Sequence, residues 1–234
     1  MRGFYFGIDP TYILILIGAV ICMIASAKLR STYSKYSRVR SMSGITGAEA
    51  AKKILYSQGI RDVSVEHVAG DLTDHYDPRS HVLRLSDTTY ADTSVAAVGV
   101  AAHECGHAVQ HATGYALLNI RNSIAPVVSI GSNLSWPLIL LGVILSWNPV
   151  LIRLGIWMFA LAVLFQLVTL PVELDASRRA LRLLQENGIL YQDEVPGAKR
   201  VLSAAAMTYV AGLLSVILQM LRLVLLFGGN RRDD

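Results

Sequence analysis

Between Arg121 and Arg153 the chain runs 31 residues without a charged side chain, and 19 more follow from Leu154 to Val172. A single helix through those 31 residues would be about 46 Å long, against a hydrocarbon core of about 30 Å. The stretch therefore reads as two spans, near 123–146 and 150–170, turning at Asn148-Pro149 with Trp136 and Trp147 as interfacial anchors. Two further apolar segments lie near 10–27 and 205–227. A secretory signal peptide is the competing reading of the first. Only Arg2 precedes that segment and a strongly basic flank follows it, which favours a span. Composition agrees: 16% of the 234 residues are charged, where a soluble domain carries about 25%.

The same composition excludes other classes. Two cysteines, Cys22 and Cys105, cannot build a disulfide scaffold. The net charge of +4 is small, and the positive residues sit beside apolar segments, so membrane anchoring explains them and nucleic acid is not an expected partner. Lys28, Arg30, Lys35, Arg38 and Arg40 follow the first span with no acid among them, whereas Arg2 is balanced by Asp9. By the positive-inside rule, 28–122 and 171–200 face the cytoplasm. Arg231 and Arg232, beyond the last span, run against that rule. Arg153 and Arg222 lie close enough to helix ends to snorkel.

The stretch 41–122 reads as a folded unit. Thr46 and Glu49 have capping-box spacing ahead of a helix ended by Gly59. Residues 62–66 and 81–85 alternate like short strands, and 74–80 is turn chemistry. Ser94 caps a helix reaching about His111.

That helix carries His103-Glu104-Cys105-Gly106-His107. Residues four apart are rotated about 400° and lie about 6 Å apart along the axis, so both imidazoles emerge on one face. Two histidines so placed suit two corners of a tetrahedral zinc site. Glu104, rotated about 100° from His103, can reach a metal-bound water without being a ligand, which suits a general base. The pattern is expected by chance roughly 0.004 times in a chain of this composition. Ordinary buried histidines are the bland reading, but two imidazoles and a carboxylate are costly to bury unpaired. Cys105 lies on the packing side, as a core residue.

A third ligand remains open from the residues alone. His111 lies one turn beyond His107, and Gln110 and Thr113 exclude the longer H-E-x-x-H-x-x-G-x-x-H pattern. His67, His75 and His81 sit in turn or strand surroundings suited to hydrogen bonding. Glu173 follows Pro171 at the end of a span, on the same side of the membrane as His103 by the charge rule. There Pro171 is expected to break or bend the helix, and Glu173 either projects to the metal or faces the dipole of a new helix.

The run 100–111 around the motif, the segment Leu170-Pro171-Val172-Glu173-Leu174-Asp175-Ala176-Ser177-Arg178-Arg179-Ala180 and the run 77–86 together resemble the membrane-bound neutral zinc metallopeptidases of bacteria, the YugP-like family. The resemblance covers nearly the whole chain. More distantly the chain is similar to HtpX-like and CAAX-prenyl membrane proteases, which take a third zinc ligand from a Glu-x-x-x-Asp helix. That likeness implies Glu173 as the ligand. Ser177 stands where the pattern has its aspartate, so Asp175 and Ser177 are both candidates for the supporting role.

These readings imply a mainly α integral membrane protein with about four transmembrane helices and a cytoplasmic zincin-like unit containing a small β element, all one metallopeptidase domain, 1–234. The expected activity is zinc-dependent endopeptidase cleavage of membrane-proximal or membrane protein substrates, in a bacterial inner membrane with the site facing the cytoplasm. His103, His107 and Glu173 would hold one Zn2+ per chain and Glu104 would be the base. Tyr209 is a candidate oxyanion donor, and the strand 81–85 a candidate edge for pairing with an extended peptide. Lipid and a peptide or protein substrate are the expected partners. The rival reading is a non-catalytic membrane scaffold stapled by zinc, which would want a fourth protein ligand and has no use for Glu104.

Overall fold

The computed structural model describes residues 9–227. Six helices and three strands follow in the order α1 (Tyr12–Tyr36), α2 (Gly47–Ser57), β1 (Ser64–His67), β2 (His75–Asp77), β3 (Val82–Leu85), α3 (Val95–Ala112), α4 (Ala116–Ile144), α5 (Pro149–Glu186) and α6 (Val195–Phe227). Four of them, α1, α4, α5 and α6, are long and apolar enough to cross a membrane. The chain divides into two compact units.

One unit comprises the described residues of Met1–Ile24, Asn122–Leu167 and Tyr209–Asp234. Its helices approach through small residues, as lipid-exposed helices do where no water drives them together. A Cβ on Gly155 of α5 would lie 2.5 Å from Ile139 Cγ1 and 2.8 Å from the Ser135 carbonyl oxygen of α4, so only glycine fits there. Ser135 Oγ donates to the Gly155 carbonyl at 2.9 Å. Ile139, Phe159 and Leu223 form the unit's small core. The turn between α4 and α5 is made by Ser146 and Trp147, both at positive φ, and by Asn148, whose side chain accepts the Val150 N–H at 3.0 Å. Pro149 then opens α5, where its missing N–H costs nothing. Arg222 does not reach out to solvent. It is buried, with its guanidinium 4.2 Å from the Tyr12 ring centre. Arg231 and Arg232 lie outside the described residues.

The other unit, Ala25–Arg121 and Val168–Thr208, holds the larger core. Thr46 and Glu49 form the expected capping box on α2, and Ser94 Oγ accepts the Ala97 N–H to cap α3. The sheet order is β1-β3-β2, with β1 parallel and β2 antiparallel to β3. Two expectations fail here. Residues 74–80 are not all turn, because His75–Asp77 pairs with Val82–Arg84. The strand at 82–85 is central rather than an edge, bonded on both sides, so it has no free edge for a peptide. The second partner, β2, is three residues long, too short to show the apolar alternation that marks a strand in sequence.

Leu83 and Leu85 pack with Ile54 and Leu55 of α2, Val98 and Ala102 of α3, and Ala180, Leu183 and Leu184 of α5. Positions 176, 180, 183 and 184 of α5 are fully buried, a stripe at helical spacing. Pro171 does not break the helix. α5 runs unbroken through it to Glu186, so Glu173 stands in mid-helix and not at a helix start facing a dipole. Helices tolerate an internal proline where the surroundings hold the freed backbone.

Candidate metal centre

The α3 helix presents His103 and His107 on one face, as four-residue spacing requires, and their rings meet edge to face with centres 4.8 Å apart. Between them stands Gly106. A Cβ there would lie 2.5 Å from the Ala176 carbonyl oxygen of α5, a backbone atom that cannot swing aside. The bare glycine lets α5 lie against α3, and that approach places Glu173 opposite the two imidazoles. Glu173 Oε2 is 3.2 Å from His103 Nε2 and 3.5 Å from His107 Nε2. A tetrahedral ion with bonds of about 2.05 Å has ligand atoms about 3.3 Å apart, so this donor set fits zinc. Among the described residues it is the one cluster of three histidine, cysteine or acidic groups that can hold a metal.

The far side of each imidazole is also held. Gln110, fully buried, donates from Nε2 to the Val172 carbonyl at 2.8 Å and to Asp175 Oδ2 at 2.9 Å. Facing two acceptors, that end of the amide must be the NH2. Its Oε1 is therefore the atom 3.0 Å from His107 Nδ1, which must carry the proton and leave Nε2 its lone pair. Arg179 Nε in turn donates to Asp175 at 2.6 Å. Burial would raise the Asp175 carboxyl, but the bonds from Gln110 and Arg179 hold it below the ordinary range. His103 Nδ1 lies 3.2 Å from Ser177 Oγ. The serine standing at the aspartate position and the aspartate two residues before it thus serve different histidines.

Glu173 is buried, which alone would raise its pKa. Hydrogen bonding to both histidines and their charges more than offset that and hold it well below the usual carboxylate range. Its other oxygen, Oε1, lies 3.4 Å from Arg121 Nη1 at the base of α4. His107 responds in the opposite sense. Burial lowers its pKa, but Glu173 and the charges of Glu104 and Glu173 raise it above the ordinary value. Glu104 is buried next to His103 on α3, close enough for its charge to act on His107.

The other histidines and Cys105 go elsewhere. His111 Nδ1 bonds the Tyr76 hydroxyl at 2.9 Å, His67 and His81 each pair with an aspartate at 2.6 Å, and His75 bonds the Thr73 carbonyl. Cys105 is fully buried with Sγ toward the Ala51 carbonyl, and burial pushes its thiol well up. Tyr209 belongs to the other compact unit. Sequence reasoning missed Gln110 and Arg121 as partners of the site, whereas Ser177 was already a candidate beside Asp175. Gln110, three positions after His107, is the one whose spacing carries a signal: i,i+3 side chains share a helix face.

The family described as "Putative neutral zinc metallopeptidase" matches this chain over residues 11–228. A relative named "Putative membrane protease YugP", from Bacillus subtilis (strain 168), is 47% identical over 210 residues, which cover 90% of this chain and 93% of that protein. No solved structure matches the chain.

Proposed function

Since the chain belongs to the neutral zinc metallopeptidase family, a membrane zinc protease in general terms, we propose that it is a multi-pass endopeptidase of the bacterial inner membrane. Its site residues are His103, His107 and Glu173 as metal ligands and Glu104 as general base. The observation that carries this reading is the pair of imidazole Nε2 atoms converging on one carboxylate oxygen at 3.2 and 3.5 Å, with each Nδ1 turned to a polar partner. Zinc bound there supplies Lewis acidity, which lets water lose a proton near neutral pH.

The protein's own groups do the rest. Gln110 and Ser177 fix the imidazole rings, and Arg121 holds the second oxygen of Glu173 so that Oε2 stays turned to the histidines. Glu104 takes the proton from the attacking water and returns it to the leaving amine. A buried carboxylate next to the histidines has a use in hydrolysis and none in a structural staple. The cluster supplies three protein ligands, as an open catalytic site does, whereas a closed structural site has four. The positive charges after the first span support a cytoplasmic site, and with it substrates that are membrane proteins or lie close to the membrane.

Two variants test the assignment. Glu104→Gln is expected to keep zinc and lower peptide turnover by at least about 10²-fold, since an amide cannot accept the proton. Glu173→Ala is expected to lose zinc and activity together. Near-normal hydrolysis by the first, or full zinc content in the second, would overturn the corresponding role.

A further inference from the structure

A cavity in the same unit as the metal centre shares no lining residue with it. Its volume is about 730 Å³, it opens between α1 and α6, and four cations line it: Lys28 and Lys35 from α1, Lys199 and Arg200 from α6. Seven residues apart, Lys28 and Lys35 share one side of α1, and Lys199 and Arg200, adjacent on α6, both border the cavity. No acid lines the cavity, and among the described residues none of the four is paired with a carboxylate. Glu194, the nearest acid in sequence to Lys199, is already committed to the backbone N–H groups of Met42 and Tyr191.

The cavity is built rather than incidental. Its floor is Tyr36, buried, whose hydroxyl accepts from Arg200 Nη1 at 2.8 Å and whose ring lies 5.6 Å from Lys35 Nζ. A Cβ on Gly197 would meet the Tyr36 ring at 2.9 Å, so the two helices close tightly at that end. Along α6 the lining changes from Lys199 and Arg200 to Ala204 and then Met207, which is exposed. Along α1, Lys28 directly follows the charge-free run 10–27. Tyr36 faces Gly197, so Lys35, Lys199 and Arg200 gather at the Tyr36 end, and Lys28 stands toward Ala204 and Met207, where both helices lead into their membrane-crossing stretches.

We infer that this cavity binds the headgroup of an anionic phospholipid, its phosphate on the lysines and Arg200 and its acyl chains toward Met207. A phosphate alone would have no use for the apolar end, and a zwitterionic lipid would bring a cation against four others. Basic pockets between membrane helices on the cytoplasmic side have this chemistry. The inference is independent of the metal site.

The test uses the full chain in mild detergent, equilibrated with phosphatidylglycerol or phosphatidylcholine and read by native mass spectrometry of retained lipid. The expected result is preferential retention of phosphatidylglycerol. Each basic residue at such a surface is worth about fivefold, so Lys28→Gln, Lys35→Gln and Lys199→Gln together should lower the preference on the order of 10²-fold. Arg200 stays, to keep its bond to Tyr36. Removing three exposed cations elsewhere, with Lys52→Gln, Lys53→Gln and Arg79→Gln, should leave the preference intact. Met207→Trp, which fills the apolar end and leaves every charge in place, should weaken retention and stands as the readout if the triple variant does not fold. Equal retention of both lipids, a preference that survives both the triple variant and Met207→Trp, or displacement of the lipid by millimolar inorganic phosphate would overturn the inference.

Discussion

The two units of this molecule put their large apolar side chains on opposite sides. In the unit of apolar helices, Ile144, Val150 and Trp157 are all exposed, Trp157 to 73%, while its interior approach depends on Gly155 and Ser135. In the unit with the metal centre, Ile54, Leu83, Leu85, Leu183 and Leu184 are fully buried, and the interior also carries Gln110 and Glu173. The difference is one of solvent. Against lipid an outward leucine loses nothing, and helices gain by packing closely. Against water the apolar residues must turn inward, and any polar group taken in with them needs partners. A polar site therefore belongs in the second unit, where a hydrophobic core is available to hold its supports rigid.

The widest separation expected between the two units is in truncation of a core residue. Leu183→Ala should cost about 2–5 kcal/mol, as for other fully buried leucines. Chemical denaturation of the purified protein measures it, and a cost below about 1 kcal/mol would show that the buried stripe on α5 is not a packed core.

Removal of a buried polar support is the next largest. Gln110→Ala takes away the acceptor for His107 Nδ1 and the side-chain donor to the Val172 carbonyl and Asp175. Zinc affinity should fall about 10–100-fold. Ser177→Ala acts only on His103 and should lie at the lower end of that range. Competition with a chromophoric chelator gives both values. Equal and negligible losses would reduce the two contacts to packing.

Acidity sharpens the same contrast, because the titrating groups sit in the metal-bearing unit. In the metal-free protein the raised pKa of His107 gives stability that is whole below about 6.5 and fades as pH rises through the raised value. The lowered pKa of Glu173 gives stability that is whole above about 4.3 and is lost as pH falls through the lowered value. Metal-free protein should be most stable between those limits. Zinc requires His107 deprotonated, so its addition should move the optimum to higher pH. Melting temperatures across pH, with and without zinc, decide this, and an optimum indifferent to zinc would detach His107 from the metal.

The smallest effect is expected on the lipid-facing surface. Trp157→Leu should change stability by less than about 0.5 kcal/mol in a bilayer-mimetic detergent. A much larger loss would mean that this exposed ring is covered by something in the native membrane.

How much of this was written in the sequence follows from the same contrast of solvents. Long charge-free runs and the spacing of His103 and His107 are local signals, and each is decided within a few turns of helix. Glu173 was legible through resemblance, although the expected break at Pro171 was not what positioned it. The unbroken α5 does that, through the Gly106–Ala176 approach. Two features had no local signature, and a third, Gln110, had only its spacing from His107. The pairing of His75–Asp77 depends on β3 being already in place, so turn residues that would loop out alone become a strand. Gln110 reads as an ordinary helix residue until Val172 and Asp175 are brought to its amide. The left-handed Ser146 and Trp147 carry no glycine to announce them.

The separation between His107 and Glu173, 66 positions occupied largely by two apolar helices, sets a clock on the protein's biosynthesis. At about 5–20 residues per second a ribosome needs roughly 3–13 s to pass from one to the other. Throughout that interval the nascent chain carries both histidines and the carboxylate of Glu104, yet lacks Glu173, the proposed third ligand. The hairpin of α4 and α5 must be made before the last ligand exists at all. The proposed ligand set is thus complete only after most of the chain has been built.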